Sequence, residues 1–273
     1  MKGRLPPAIL ACCCLLLFLN WTWMAPEFLP SPRPLFEYAI PGELPPFGAD
    51  DRGRPLTSYV TQGAAIVAVP AVLAGLLTTL MGVLGGLLRC MGSSHANTLI
   101  QALSEVVGAL PRMLVILVVA LVMPQDARGL LPLALAWAIL ASPGAMDEAA
   151  AVAGRLGGTT FVEALRAHGY SAWRIYFVHV VAYNLRPVVV RQGAEVMMQV
   201  VFLEVALSYL ALADNQPSFT HSDSVKSWAD LLSLGYSSLV VDIATTHALI
   251  LGLSLVGLVA VMSLSIGYAA RAR

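Results

Sequence analysis

Residue types that carry out common enzymatic chemistry occur in this chain, but not at the spacings that such chemistry requires. A Walker A phosphate loop places Lys after Gly and before Ser or Thr, whereas the only two lysines, Lys2 and Lys226, follow Met1 and Val225. Neither an HExxH zinc motif nor a GxSxG nucleophile elbow is present. We therefore expect no catalytic residues, and we expect that this chain is not an enzyme and cannot be its own ATPase.

Metal and thiol chemistry have no better support in the sequence. His179, His221 and His247 lack any ligand-like spacing, so no metal site and no bound cofactor are predicted. Cys12–Cys14 lie in an apolar run and are interpreted as small apolar helix residues. Asp242 and His247 could form a proton relay, although polar residues satisfied by neighbouring helices are the more common arrangement.

The composition is that of an integral membrane protein. Of 273 residues, 58% are hydrophobic and 12% are charged, with a mean hydropathy of +0.76, against roughly 45 to 50% apolar and about 25% charged in soluble proteins. Net charge is zero and the pI is near 7.0, so nothing indicates a nucleic acid partner. The partner that the composition does indicate is the lipid bilayer.

Six apolar runs are long enough to span a bilayer, whose hydrocarbon core is roughly 30 Å thick. They cover 6–24, 58–88, 97–123, 130–146, 188–212 and 239–268. The predicted fold is an all-α membrane protein, a six-helix transmembrane bundle. Residues 1–25 form a signal-anchor helix, 26–57 an extended Pro-rich periplasmic loop and 58–273 a five-helix core with a long cytoplasmic segment, 147–187.

The distribution of Lys and Arg predicts the orientation. Cytoplasmic loops carry an excess of these residues. With both termini cytoplasmic, ten of the 16 fall on the inner side, five fall outside, and Arg112 lies within a span. The inner ten are Lys2, Arg4, Arg89, Arg155, Arg166, Arg174, Arg186, Arg191, Arg271 and Arg273, and 214–236 is expected to be an outer loop.

Two sets of residues inside the apolar runs have alternative interpretations. Glu105 and Arg112 are seven residues apart, with Pro111 between them, so on one helix they share a face. Because charges at membrane depth are costly, the pair is expected either to line a watery path or to be a structural ion pair. The small residues of the second run also share a face, which serves either as a dimer face or for ordinary bundle packing. They are Ala71, Gly75, Thr79, Gly82 and Gly86.

The polar segment 161–187 is predicted to form two short helices beside the membrane. Phe161, Ala164, Leu165 and His168 recur at i, i+3, i+4 and i+7, and Gly169 follows where a helix C′ residue belongs. A second helical pattern ends at Pro187, which lacks a backbone donor and is expected to bend the path. Its aromatic residues Trp173 and Phe177 are expected to be buried in the bundle as an anchor. A pair of short amphipathic helices beside a membrane has the shape of a docking element.

Three stretches of the sequence resemble ABC-importer permeases of the dipeptide, oligopeptide and nickel branch. Glu163, Ala164 and Gly169 match the cytoplasmic EAA loop of these permeases, and 172–177 reads Ala-Trp-Arg-Ile-Tyr-Phe as in that branch. Residues 47–54 resemble its Gly-Thr-Asp-x-x-Gly-Arg motif, and 203–210 is the third similar stretch. A second Glu-Ala-Ala begins at Glu148, but only Glu163 is followed by the two-helix pattern.

The resemblance implies a type I ABC-importer permease, a multi-pass protein of the bacterial inner (plasma) membrane. The implied partners are a second permease subunit, cytoplasmic ABC ATPase subunits that bind ATP and Mg, and a periplasmic or extracellular substrate-binding protein. The implied solute is peptide-like or a metal chelate. The implied ATPase-coupling residues are Glu163, Ala164, Arg166, Gly169, Trp173, Arg174 and Pro187.

The expected translocation path contains Glu105, Arg112 and Glu204. Glu195 lies nine residues before Glu204, which places the two on opposite sides of a helix, so they cannot both line one path. The alternative function is a non-transporting membrane scaffold that docks a cytoplasmic partner through the same segment. A secondary transporter is disfavoured, because no repeated half with broken helices is seen.

Overall fold

The structure, a computed structural model, describes residues 5–27, 29–91, 94–124, 129–156, 159–213, 226–241 and 246–271. Within these ranges the chain is helical, apart from loops and an isolated β-bridge between Ala49 and Pro55. The helices are α1 (Leu5–Met24), α2 (Leu56–Gly63), α3 (Val69–Met91), α4 (Ser94–Gly108), α5 (Arg112–Val122), α6 (Leu130–Arg155), α7 (Thr159–Ala167), α8 (Arg186–Ala213), α9 (Trp228–Val241) and α10 (His247–Arg271). Two π-helical segments, Ala64–Ala68 and Arg174–Leu185, lead directly into α3 and α8.

Five helical stretches in the described ranges are long and apolar enough to cross a membrane. They are Pro6–Met24, Leu56–Leu88, Leu130–Arg155, Arg174–Leu210 and His247–Ala270. The all-helical fold is therefore confirmed for the described residues, and the five apolar helices support a multi-pass membrane protein. The sixth span stays a prediction, because α5 is apolar but has only 11 residues. The orientation of the termini also stays a prediction.

The single helix predicted over 97–123 is wrong. The chain leaves the helix after Gly108, and Pro111 precedes α5 in an extended conformation with φ −69° and ψ 103°. Proline has no backbone donor and disfavours helical angles in the residue before it, so a break at this point is the expected local outcome.

The outer loop predicted for 214–236 is wrong in its second half, since α9 begins at Trp228; residues 214–225 lie outside the described residues. Ser227 and Asp230 cap the helix, because the Asp230 carboxylate accepts from the Ser227 amide at 2.7 Å and the Ser227 hydroxyl from the Ala229 amide at 3.2 Å. The fully buried Trp228 indole donates to the Val60 carbonyl at 3.2 Å.

The loop before α2, predicted to be extended, is folded around Asp50. This carboxylate is 1% exposed and accepts hydrogen bonds from the amides of Arg52 at 2.9 Å and Arg54 at 2.7 Å, and from the Tyr59 hydroxyl at 2.6 Å. A buried charge requires such partners. The turns also need glycine, because Gly53 has a φ of +69°. The Asp-x-x-Gly-Arg stretch therefore organises a compact loop.

The small-residue face of α3 packs against α8 of the same chain. A Cβ on Gly75 would lie 2.7 Å from the Gly193 carbonyl oxygen, and a Cβ on Gly193 would lie 2.5 Å from the Gly75 carbonyl oxygen. Farther along, a Cβ on Gly82 would lie 2.9 Å from Val189. Of the two interpretations given above, the structure favours bundle packing.

The folded loop and the segment after α7 lie at opposite ends of the bundle. At one end the Leu56 amide donates to the Gly48 carbonyl at 3.0 Å. At the other, Leu87 packs with Ile175 and Leu185. The helix between them, Leu56–Leu88, has 33 residues, which corresponds to a length of about 50 Å.

Replacement of Gly193 by Ala is predicted to destabilise the bundle by about 1 to 3 kcal/mol, because the added methyl group forces α3 and α8 apart. The matched control is Gly257→Ala, where a Cβ meets no atom within 4 Å. The thermal unfolding midpoint of the detergent-solubilised protein should fall for the first variant and not for the second. Equal midpoints would show that the close approach of the two helices is not needed.

Candidate functional site

α7 ends in a Schellman motif built on Gly169. The Tyr170 amide donates to the Leu165 carbonyl at 3.2 Å, and the Gly169 amide donates to the Arg166 carbonyl at 2.9 Å. Gly169 has a φ of +82°, which glycine adopts without strain. The helix end predicted at this glycine is confirmed, and the turn points the chain into the next helix.

The segment after Gly169 differs from the prediction in its hydrogen bonding. Arg174–Leu185 is π-helical, and the amide of Arg186 still donates five residues back, to the Val181 carbonyl. The chain stays helical through Pro187, with helical angles at Arg186 (φ −46°, ψ −48°). The missing donor of Pro187 coincides with the change from π to α pairing. One uninterrupted helix therefore joins this segment to the core of the bundle.

Six of the seven predicted coupling residues form an exposed surface, which we call the coupling surface. It contains Glu163, Ala164, Arg166, Gly169, Trp173 and Arg174, whereas the seventh residue, Pro187, is half-buried. Two contacts hold the surface together: the Arg166 guanidinium donates to the Tyr176 hydroxyl at 3.2 Å, and the Arg174 guanidinium lies 5.0 Å from the Tyr170 ring centroid.

The prediction that Trp173 and Phe177 are buried in the bundle is wrong. Trp173 is 68% exposed and Phe177 is 49% exposed, and their rings stack on each other with centroids 3.9 Å apart. Ile175 and Val180 occupy the bundle-facing positions of the π-helical segment. The coupling surface therefore extends to Phe177, whose ring stacks on Trp173, and the two rings form an exposed apolar patch of the kind that partners bind.

A polar link that the sequence analysis missed ties α6 to α8. The carboxylate of Glu148 accepts hydrogen bonds from the Arg191 guanidinium and from the Gln192 amide. Glu148 was considered only as the start of a second Glu-Ala-Ala. A usable signal was Arg191 at the start of the fifth run, since a cation there needs a partner from another helix.

The structure does not bring the predicted path residues together. Glu105 lies exposed on α4 and Arg112 half-buried on α5, and among the described residues no ion pair joins them. That pairing is wrong because the break at Pro111 removes the shared helix face. Glu204 is fully buried, and its carboxylate accepts from the Ser208 hydroxyl at 3.3 Å.

The exposed face of α8 carries other residues instead. Arg191, Glu195, Met198, Phe202 and Tyr209 follow one another at spacings of three, four or seven, and each is partly or largely exposed. Glu195 and Glu204 lie on different faces of α8, as their spacing predicts. The exposed residue is Glu195, which was not among the expected path residues. Next to Arg191 and Glu195 a cavity of about 440 Å³ opens between α8 and α10.

No metal site is evident in the part of the chain that the structure describes, where no group of three or more His, Cys, Asp or Glu residues is arranged to hold an ion. The relay considered for Asp242 and His247 cannot be examined, because Asp242 lies outside the described residues. His247 packs against Gly48 at the end of the bundle that holds the folded loop.

Comparison with known proteins supports a transport role. No protein-family model matches the chain. A probable D,D-dipeptide transport system permease protein of Escherichia coli is 26% identical over 184 residues, which cover 64% of this chain and 59% of the relative. A glutathione transport system permease protein of Pectobacterium atrosepticum is 24% identical over 194 residues, covering 71% and 61%. This chain is similar to ABC-importer permeases of the peptide branch.

The resemblance first drawn from three short motifs is therefore confirmed. The chain spans about three fifths of the length of the curated relatives it matches, 59% and 61%. The two relatives are transport permeases, which are not enzymes.

Replacement of Arg191 by Ala is predicted to weaken the link between α6 and α8, lowering the free energy of unfolding by roughly 1 kcal/mol, since the pair is partly exposed. Arg186→Ala, an exposed arginine on the same helix, is the matched control. Chemical unfolding in detergent, at low and high salt, measures the difference. A loss as large for Arg186→Ala would contradict the assigned role of the pair.

Proposed function

We propose that this chain is a permease subunit of an ATP-driven ABC importer, which forms a translocation path with a second permease subunit. Its similarity to peptide-branch permeases and its five apolar spans support the proposal. The observation that carries it is the coupling surface, which lies at one end of the bundle on α7 and on the start of the helix that continues into the core.

The composition of the coupling surface suits a cleft in an ATPase subunit. Glu163 and Arg166 offer charged contacts, and the stacked Trp173 and Phe177 offer apolar area, a combination enriched at binding hot spots. Because the chain is helical without interruption from Arg174 to Ala213, a displacement of this surface moves α8. The Gly169 turn sets how α7 lies against the ATPase.

The orientation, partners, cellular location and solute of the chain follow from the coupling of this surface to an ATPase. The coupling surface and both termini lie in the cytoplasm, and the folded loop around Asp50 faces a periplasmic or extracellular substrate-binding protein. ATP and Mg bind to the ATPase subunits, and the complex resides in the bacterial inner membrane. α4 and α5 together supply the sixth span of a type I importer permease. The relatives named above support a peptide-like solute.

The proposal is tested by substitution of Gly169. Gly169→Val places a β-branched residue at φ +82° and is expected to distort the turn, at a cost on the order of 1 to 3 kcal/mol. Asn tolerates this conformation, so Gly169→Asn is the matched control. A Cβ here meets no atom within 4 Å, so a Cβ clash does not explain a difference between the two variants.

The measurement is ATP-driven uptake of labelled dialanine and glutathione by proteoliposomes holding the whole complex with its binding protein, together with the rate of ATP hydrolysis. Gly169→Val should lower uptake at least tenfold while ATP hydrolysis continues, and Gly169→Asn should keep uptake near the wild-type level. Wild-type uptake by Gly169→Val would contradict the coupling role. A complex that purifies without an ATPase subunit would contradict the importer itself.

A further inference from the structure

The cavity between α8 and α10 has a mostly apolar wall that carries two charged and two hydroxyl-bearing side chains. Arg191 and Glu195 line it from α8, and Ser263 and Tyr268 line it from α10. Its volume of about 440 Å³ lies within the range of small-molecule sites, roughly 300 to 1,000 Å³. It lies toward the end of the bundle that carries the coupling surface, because Arg191 is about 1.7 turns beyond Leu185, which packs there.

Glu195 cannot face hydrocarbon without a large cost. It is exposed on the surface of the chain, within the span Arg174–Leu210. Its carboxylate has one long hydrogen bond among the described residues, from the Gln199 amide at 3.5 Å. Ionisable groups at membrane depth face a bundle interior or a watery cavity. The face of α8 that carries Glu195 therefore borders a watery cavity or another protein surface, and not hydrocarbon.

The two charged side chains reach the cavity without neutralising each other. They stand at i and i+4 on α8, a spacing that puts their Cβ atoms about 5 to 6 Å apart, yet no ion pair joins them in the described structure. Arg191 bonds Glu148 through one terminal nitrogen, and a guanidinium has five N–H donors in a fixed fork. Glu148 thus orients Arg191 and leaves it other donors.

We propose that this cavity binds the two charged ends of a zwitterionic solute, an unblocked dipeptide or a similar small molecule. Glu195 accepts hydrogen bonds from the solute ammonium group, and Arg191 donates to the solute carboxylate. One guanidinium and the two carboxylates of Glu148 and Glu195 give the site one net negative charge. Binding therefore depends more on the ammonium group of the solute than on its carboxylate. This site rests on the proposed function, since it lies on the solute path.

The site is tested by saturation-transfer NMR on the permease–ATPase complex in nanodiscs, without the binding protein. The probes are dialanine, N-acetyl-dialanine and dialanine amide, each at millimolar concentration. Dialanine should give a transfer signal at least threefold above that of N-acetyl-dialanine, and dialanine amide should lie between them. The exposed position of Glu195 makes the Glu195→Gln variant compatible with folding, and its dialanine signal should fall at least threefold.

The matched control is Glu43→Gln, the same substitution at an exposed position of the folded loop, which lies at the other end of the bundle; it should keep the wild-type signal. The inference is overturned if wild-type complex gives no dialanine signal, if acetylation has no effect, or if Glu195→Gln binds as wild type does. If lipid or another protein covers this face of α8, the wild-type complex will give no dialanine signal. Purification with an ATPase is scored separately, so the two proposals fail by different observations.

Discussion

The backbone contact between α3 and α8 at Gly75 and Gly193 is the constraint on which the rest of the structure depends. In lipid, helices gain little from apolar burial and associate through close packing, which small residues allow. This contact fixes α8, and α8 in turn carries both the coupling surface, through the π-helical segment, and the charged cavity wall. No loop interrupts the helix between Arg174 and Ala213, so the Arg174 end of the coupling surface and the charged cavity wall lie on one continuous helix.

Local rules predicted the parts of the fold that local chemistry decides. Apolar runs predicted the five spans, and the position of Gly169 after an amphipathic pattern predicted the helix end that the Schellman motif forms. The same rules, applied more strictly, would have found the break at Pro111 and the cap formed by Ser227 and Asp230. Those two errors came from the weight given to hydropathy over proline and capping signals.

Other features depend on contacts that the sequence does not display. A change from α to π pairing alters which residues of Arg174–Leu185 face the bundle, so Phe177 was assigned to the wrong side. Glu148 and Arg191 are 43 residues apart and meet only because α6 packs beside α8. The roles of Glu195 and Glu204 depend likewise on which side of α8 the other helices cover. Their spacing predicted that the two residues lie on different faces of α8, but not which residue is buried.

The central claim is that the coupling surface is held against an ATPase in the cytoplasm. The most direct measurement replaces Trp173 by the photoreactive p-benzoylphenylalanine in the whole complex in cells, with the same residue at the exposed loop position Leu35 as the reference for the other end of the bundle. The account predicts that position 173 cross-links to the ATPase subunit, with a yield that changes when ATP is depleted, and that position 35 does not. Cross-linking of position 173 to the substrate-binding protein, or to lipid alone, would contradict it.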